Sequence, residues 1–107
     1  MEVTEQVRAY AIRLVMATQP GSAHAPAAIS RAVALGSSPR GAQGLMLMGK
    51  VRALMGGRFA VSCEDVRAVA LPVLRHRLLL NFEAQADRVH PDDLVRAAVS
   101  SVSELSR

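Results

Sequence analysis

The run Ser38-Pro39-Arg40-Gly41 is where this sequence has the means to do chemistry. Serine is a strong helix N-cap, and proline suits the first helical position, so a helix starts here. Arg40 then falls in the first turn, where a cation opposes the helix dipole by roughly 0.3 kcal/mol or more. Two readings are open. Arg40 is a surface side chain that tolerates this cost, or the helix mouth and the guanidinium together attract an anion. Spacing alone favours the first. Under the second, phosphate fits best, because the planar guanidinium donates two hydrogen bonds at once.

A second pattern is a decoy. Gly44 to Lys50 matches Gly-x4-Gly-Lys, yet Val51 stands where a phosphate loop needs Ser or Thr for magnesium, and no strand precedes it. The intervening Leu45, Met46, Leu47 and Met48 read as helix, whose amides are used internally. His24, His76 and His90 stand apart, and no pair has zinc-ligand spacing. His76 follows a helix between Arg75 and Arg77, which suits a capping or interface role. Cys63 beside Ser62 reads as a small helix residue, and no nucleophile–base pair is legible. Glu64-Asp65 and Asp92-Asp93 fall in first turns of helices, which accounts for them without acid–base work. Neither catalytic residues nor metal ligands are expected.

The elements that position these residues follow from periodicity. Val3, Val7, Tyr10, Ala11, Leu14 and Val15 predict an amphipathic helix over 3–18, stopped by Pro20-Gly21. Residues 19–38 are rich in Pro, Gly and Ser and read as a loop, with room for a short turn around Ile29 to Val33. The second helix runs from Pro39 to Met55 and ends at Gly56-Gly57. Leu45, Met46, Leu47, Met48, Val51, Leu54 and Met55 cover most of its circumference, so it is expected to be the central, buried helix. Gly41, Gly44 and Gly49 each cost about 1 kcal/mol there, which a closely approaching neighbour would offset. Ser62 caps a third helix that Pro72 should kink or split. Leu78-Leu79-Leu80 is expected to be extended and able to pair briefly with 58–61. Residues 82–88 suit a short helical turn. Pro91 starts the last helix, with an apolar stripe of Leu94, Val95, Ala98, Val99, Val102 and Leu105.

The whole is expected to be one all-α domain over 1–107, a small helical bundle with at most one very short two-strand pairing. Half the residues are hydrophobic but only 3% are aromatic, so the core must be built of Ala, Val, Leu and Met. Small side chains suit close helix packing. No apolar run approaches the ~20 residues of a membrane span, and the first residues do not resemble a signal peptide. One cysteine excludes an internal disulfide and fits a reducing cytoplasm. The net charge of +4, carried by Arg almost alone, permits a basic nucleic-acid face on Arg75, Arg77 and Arg88. A recognition helix needs more than the Arg67 and Arg75 of the third helix, so this evidence is thin.

Several runs together resemble one family. Leu35-Gly36-Ser37-Ser38-Pro39-Arg40-Gly41 is similar to the LGaSPRg motif that opens the lid of MoxR-type AAA+ ATPases. Tyr10 to Val15 resembles the helix before that motif, and Ala17-Thr18-Gln19 its Ala-Thr-Arg ending. Gly57-Arg58-Phe59-Ala60-Val61-Ser62, followed by Glu64-Asp65-Val66, resembles its Gly-Arg-aromatic-x-Val-Thr-x-x-Asp-Val run. Val73-Leu74-Arg75-His76-Arg77-Leu78 resembles its Val-Leu-x-His-Arg segment. The chain departs from the pattern at Gln19 and Ser37.

The resemblance implies a small helical lid cut from a larger ATPase, with the nucleotide-binding core outside this sequence. It implies ATP and magnesium in the full-length protein and no cofactor for the lid alone. Arg40 would be the sensor 2 residue that reaches the γ-phosphate, with Ser38, Pro39 and Gly41 shaping the helix start. Implied partners are the AAA+ core, neighbouring subunits of a hexameric ring and a von Willebrand A domain protein, with neither membrane nor nucleic acid expected. Implied work is chaperone-like remodelling or metalloenzyme maturation. A small basic helical nucleic-acid-binding domain is the alternative.

Overall fold

A computed structural model describes residues 3–103. Leu105, placed above on the last apolar stripe, lies outside them. The order is α1 (Glu5–Ala17), α2 (Ala27–Ala32), β1 (Val33–Leu35), α3 (Pro39–Met55), α4 (Cys63–Ala68), α5 (Ala70–Leu74), β2 (Leu79–Leu80), α6 (Phe82–Ala86) and α7 (Pro91–Ser101). This is the expected helical bundle with one minimal ribbon.

Start signals act as their chemistry dictates. Thr4 caps α1 through the Val7 amide, Ser38 caps α3 ahead of Pro39, and Asn81 caps α6 through the Ala84 amide at 2.8 Å. Ser62 and Asp65 form a reciprocal capping box at α4. The third helix is split at Val69, three residues before Pro72. Proline cannot donate to the carbonyl four residues back, so the break falls in that preceding turn.

The ribbon differs from expectation. Its strand at Leu79–Leu80 pairs antiparallel with Val33–Leu35, not with 58–61, through Val33↔Leu80 and Leu35↔Leu79. The 19–38 segment is therefore no mere loop, for it holds α2 and β1. Asn81 extends the pairing by donating from its amide to Ala32 O at 2.9 Å and from Nδ2 to Arg31 O at 2.7 Å.

Two apolar clusters form the core. One gathers α1, α3, α4, α5 and α7 around Tyr10, Leu14, Leu45, Val66, Leu74 and Val95. The other joins Ile29 and Val33 to Ala84, Leu94 and Ala98. Leu78 and Val102 touch both.

α3 corrects the sequence reading. Its buried side is Gly41, Ala42, Leu45, Gly49 and Ala53, whereas Leu47, Met48, Val51, Leu54 and Met55 are exposed. The glycines explain why burial is one-sided. A Cβ at Gly49 would lie 3.2 Å from Val61 Cγ1, and one at Gly44 would lie 3.1 Å from Val73 Cγ1. Neighbouring elements approach on the small-residue side, which leaves the large side chains facing outward.

Candidate functional site

The candidate site is the mouth of α3. Ser38 Oγ accepts the Arg40 amide at 3.3 Å, and Ser38 O accepts the Gly41 amide at 2.8 Å. Arg40 itself is exposed. Among the described residues no hydrogen bond or ion pair engages its guanidinium. A cation at a capped helix start, aimed at solvent, can donate to an anion without first breaking a contact.

The segment before it is clamped to the end of α1. Thr18 Oγ1 donates to Val15 O at 2.6 Å and accepts the Ser37 amide at 3.0 Å. The Gln19 carboxamide accepts the Gly36 amide at 3.2 Å and donates to Ser37 O at 2.7 Å. Thr18 and Ser37 are completely buried. Gly36 lies so close to Thr18 that a Cβ would overlap the Thr18 carbonyl. Ser37 Oγ donates to Ser38 O at 2.9 Å and occupies the space a Cβ on Gly41 would need. Each small residue of the run thus has a steric or polar reason. The two positions that depart from the family pattern, Gln19 and Ser37, belong to this clamp. An arginine at 19 has no acceptor for the Gly36 amide.

A second polar cluster lies beyond the other end of α3. Asp65, fully buried, accepts Arg52 Nη1 and both terminal nitrogens of Arg58 at 2.7 Å, and the Ser62 amide at 2.9 Å. The bidentate Arg58 contact, against the opposing cost of burial, holds its carboxyl well below the usual carboxylate range. The capping box was legible in the sequence, but the two arginine partners were not, because they arrive from 13 and 7 residues away.

The remaining candidates do not converge. Arg75 Nη2 donates to Asp92 Oδ2 at 3.0 Å, tying α5 to α7, and Arg77 Nε donates to Val73 O at 3.2 Å. Arg75 is thus engaged within the chain, while Arg77 and Arg88 are both exposed. His90 caps α7 by accepting the Asp92 amide on Nδ1 at 3.1 Å. Cys63 is buried at the start of α4, and His76 is exposed after α5. Gly44 to Lys50 is continuous helix, so it cannot form a phosphate loop. Among the described residues no three His, Cys, Asp or Glu side chains gather as a metal site, and no helix is long and apolar enough to cross a membrane.

Residues 25–101 match the family model of the AAA lid domain, and the chain belongs to that family. The relatives it resembles include proteins named MoxR. The chain is 34% identical over 94 residues to Chaperone MoxR1 of Mycobacterium tuberculosis, covering 88% of this chain and 25% of that protein. It is 39% identical over 77 residues to Protein MoxR of Methylorubrum extorquens, covering 70% and 22%. A solved chain from Cytophaga hutchinsonii, described as an ATPase, superposes with a TM-score of 0.88 at 30% identity, over 94% of this chain and 31% of that one. The chain thus spans about a quarter of the curated relatives it matches.

Proposed function

We propose that this domain, residues 1–107 as a single unit, is the nucleotide-sensing lid of a MoxR-type AAA+ ATPase, with Arg40 as its sensor. The observation that carries this reading is the unengaged guanidinium at a capped helix start, on a segment clamped to α1 by Thr18 and Gln19. The clamp fixes where the helix mouth points. The arginine then reports whether a terminal phosphate is in front of it. Ser38 and Pro39 set the helix start, and Gly41 leaves room for Ser37.

The start of α3 offers one cation and one helix mouth, which fits half of an ATP site. ATP and its magnesium would be held mainly by a nucleotide-binding core, where the metal neutralises developing phosphate charge. Phosphate contact by Arg40 would favour one lid orientation, and its loss after hydrolysis would release that orientation. Through this coupling the lid would serve chaperone-like remodelling or metalloenzyme maturation. The setting would be a cytoplasmic ring, of hexameric form in the family, working beside a von Willebrand A domain protein.

The test is Arg40→Ala in the complete ATPase. Turnover should fall by about tenfold or more, a barrier change of ~1.4 kcal/mol. The helical circular dichroism of 1–107 should not change, because the side chain supports nothing in the fold. Unaltered turnover would remove the sensor role.

A further inference from the structure

Gly36, Ser37 and Ser38 lead from the end of β1 into α3, so the turns they take decide which way the helix mouth faces. Every polar group of Ser37 is in use. Its amide donates to Thr18 Oγ1 at 3.0 Å, and its hydroxyl donates to Ser38 O at 2.9 Å. Its carbonyl accepts Nε2 of Gln19 at 2.7 Å, the shortest of the three bonds. That carbonyl belongs to the peptide unit joining Ser37 to Ser38, the cap of α3. A planar peptide turns as one piece, so a donor on Ser37 O fixes the plane from which the helix starts. Arg40 follows two residues later.

Gln19 is itself well anchored. Its amide donates to Met16 O at 3.0 Å, which ties it to the last turn of α1. Pro20 follows it and restricts its backbone. The oxygen of its carboxamide accepts the Gly36 amide at 3.2 Å, so the side chain is held at both ends. The two contacts differ in what they control. The Gly36 bond lies on the β1 side of Ser37, whereas the bond to Ser37 O lies on the α3 side. The donor is therefore the half of the carboxamide that bears on Arg40. Gln19 is not what keeps α1 against α3, because Tyr10, Leu14 and Leu45 are completely buried in one cluster. Its loss tilts the start of α3 without parting the helices.

We propose that Gln19 is a positioning residue for nucleotide sensing: its donor on Ser37 O sets the direction in which Arg40 leaves the start of α3. The assignment rests on the sensor role proposed for Arg40. Arginine, the residue of the family pattern at this place, also carries donors, whereas an ionised glutamate of nearly the same shape as glutamine has none.

The experiment compares ATP and ADP affinities of the complete ATPase carrying Gln19→Ala, Gln19→Glu or Gln19→Arg, each alone and combined with Arg40→Ala. Gln19→Ala and Gln19→Glu should each shrink the preference for ATP by about threefold or more. Gln19→Arg should keep the preference, since it retains a donor for Ser37 O. Glutamate and arginine both keep a long polar side chain, so their contrast decides the matter even where alanine loosens the fold. In the Arg40→Ala background none of the three should change the preference further, because the group to be positioned is gone. An undiminished preference in Gln19→Glu, an equal loss in Gln19→Arg, or the same loss with and without Arg40 would overturn the assignment and leave the sensor role standing. An Arg40→Ala enzyme that keeps its preference for ATP would overturn both.

Discussion

Thr18 and Ser37 are both buried and are joined by a 3.0 Å hydrogen bond from the Ser37 amide to Thr18 Oγ1. This contact makes the end of α1 and the approach to α3 one rigid piece. Arg40 inherits its position from it.

The closest part of that joint is Gly36 against the Thr18 backbone. Gly36→Ala must push the two segments apart, since neither partner is a flexible side chain. The expected cost is about 2–3 kcal/mol, which lowers the thermal midpoint by roughly 10 °C or more. Calorimetry on the 1–107 chain checks it. A midpoint within a degree or two of the parent would mean that the joint is looser than described.

Gln19→Arg restores the residue of the family pattern but removes the acceptor for the Gly36 amide. The loss should be about 0.5–1.5 kcal/mol. Urea denaturation reads it directly. A gain in stability would show that arginine finds a better partner there and that the carboxamide bracket is dispensable.

Asp65 makes folding depend on acid. Its folded carboxyl titrates below the unfolded value, because Arg58, Arg52 and Ser62 favour the charged form. The stability it provides is therefore complete above the unfolded pKa near ~3.9 and is lost as pH falls towards the folded value. Asp65→Asn should cost about 2–3 kcal/mol at neutral pH, below the usual range for a broken buried pair because both arginines reach solvent. The variant should also lose midpoint less steeply than the parent between about pH 5 and pH 2. Parallel curves would contradict the assignment.

The two faces of α3 should answer differently to truncation. Leu45→Ala removes a fully buried side chain and should cost about 2–5 kcal/mol. Leu47→Ala should change stability by no more than ~0.5 kcal/mol. Equal costs would mean that Leu47 is buried after all.

That contrast also shows where sequence reading runs out. Caps and breakers act locally, so Ser38-Pro39, Ser62, Pro72 and Pro91 placed their helices correctly. Which side of α3 is buried depends on what packs against it, and the glycines answer that only once α4 and α5 are in place. Hydrophobicity alone pointed to burial all round, whereas only one side, with Leu45 on it, is buried. The ribbon partner of Leu79–Leu80 was missed for a similar reason, since Val33–Leu35 sits in a stretch whose Pro, Gly and Ser content suggested a loop. The place of Arg40 in the first turn of α3 was legible from its cap and proline, whereas the Thr18 and Gln19 clamp behind it needed the approach of two segments 17 to 19 residues apart.

The sensor reading rests on a contact between Arg40 and the last phosphate of ATP, and the affinity difference between ATP and ADP reads that contact most directly. In the complete ATPase, Arg40→Ala should lower ATP affinity by about tenfold and leave ADP affinity unchanged, so that the preference for ATP shrinks. A preference that survives the substitution intact would contradict the account, whatever happens to turnover.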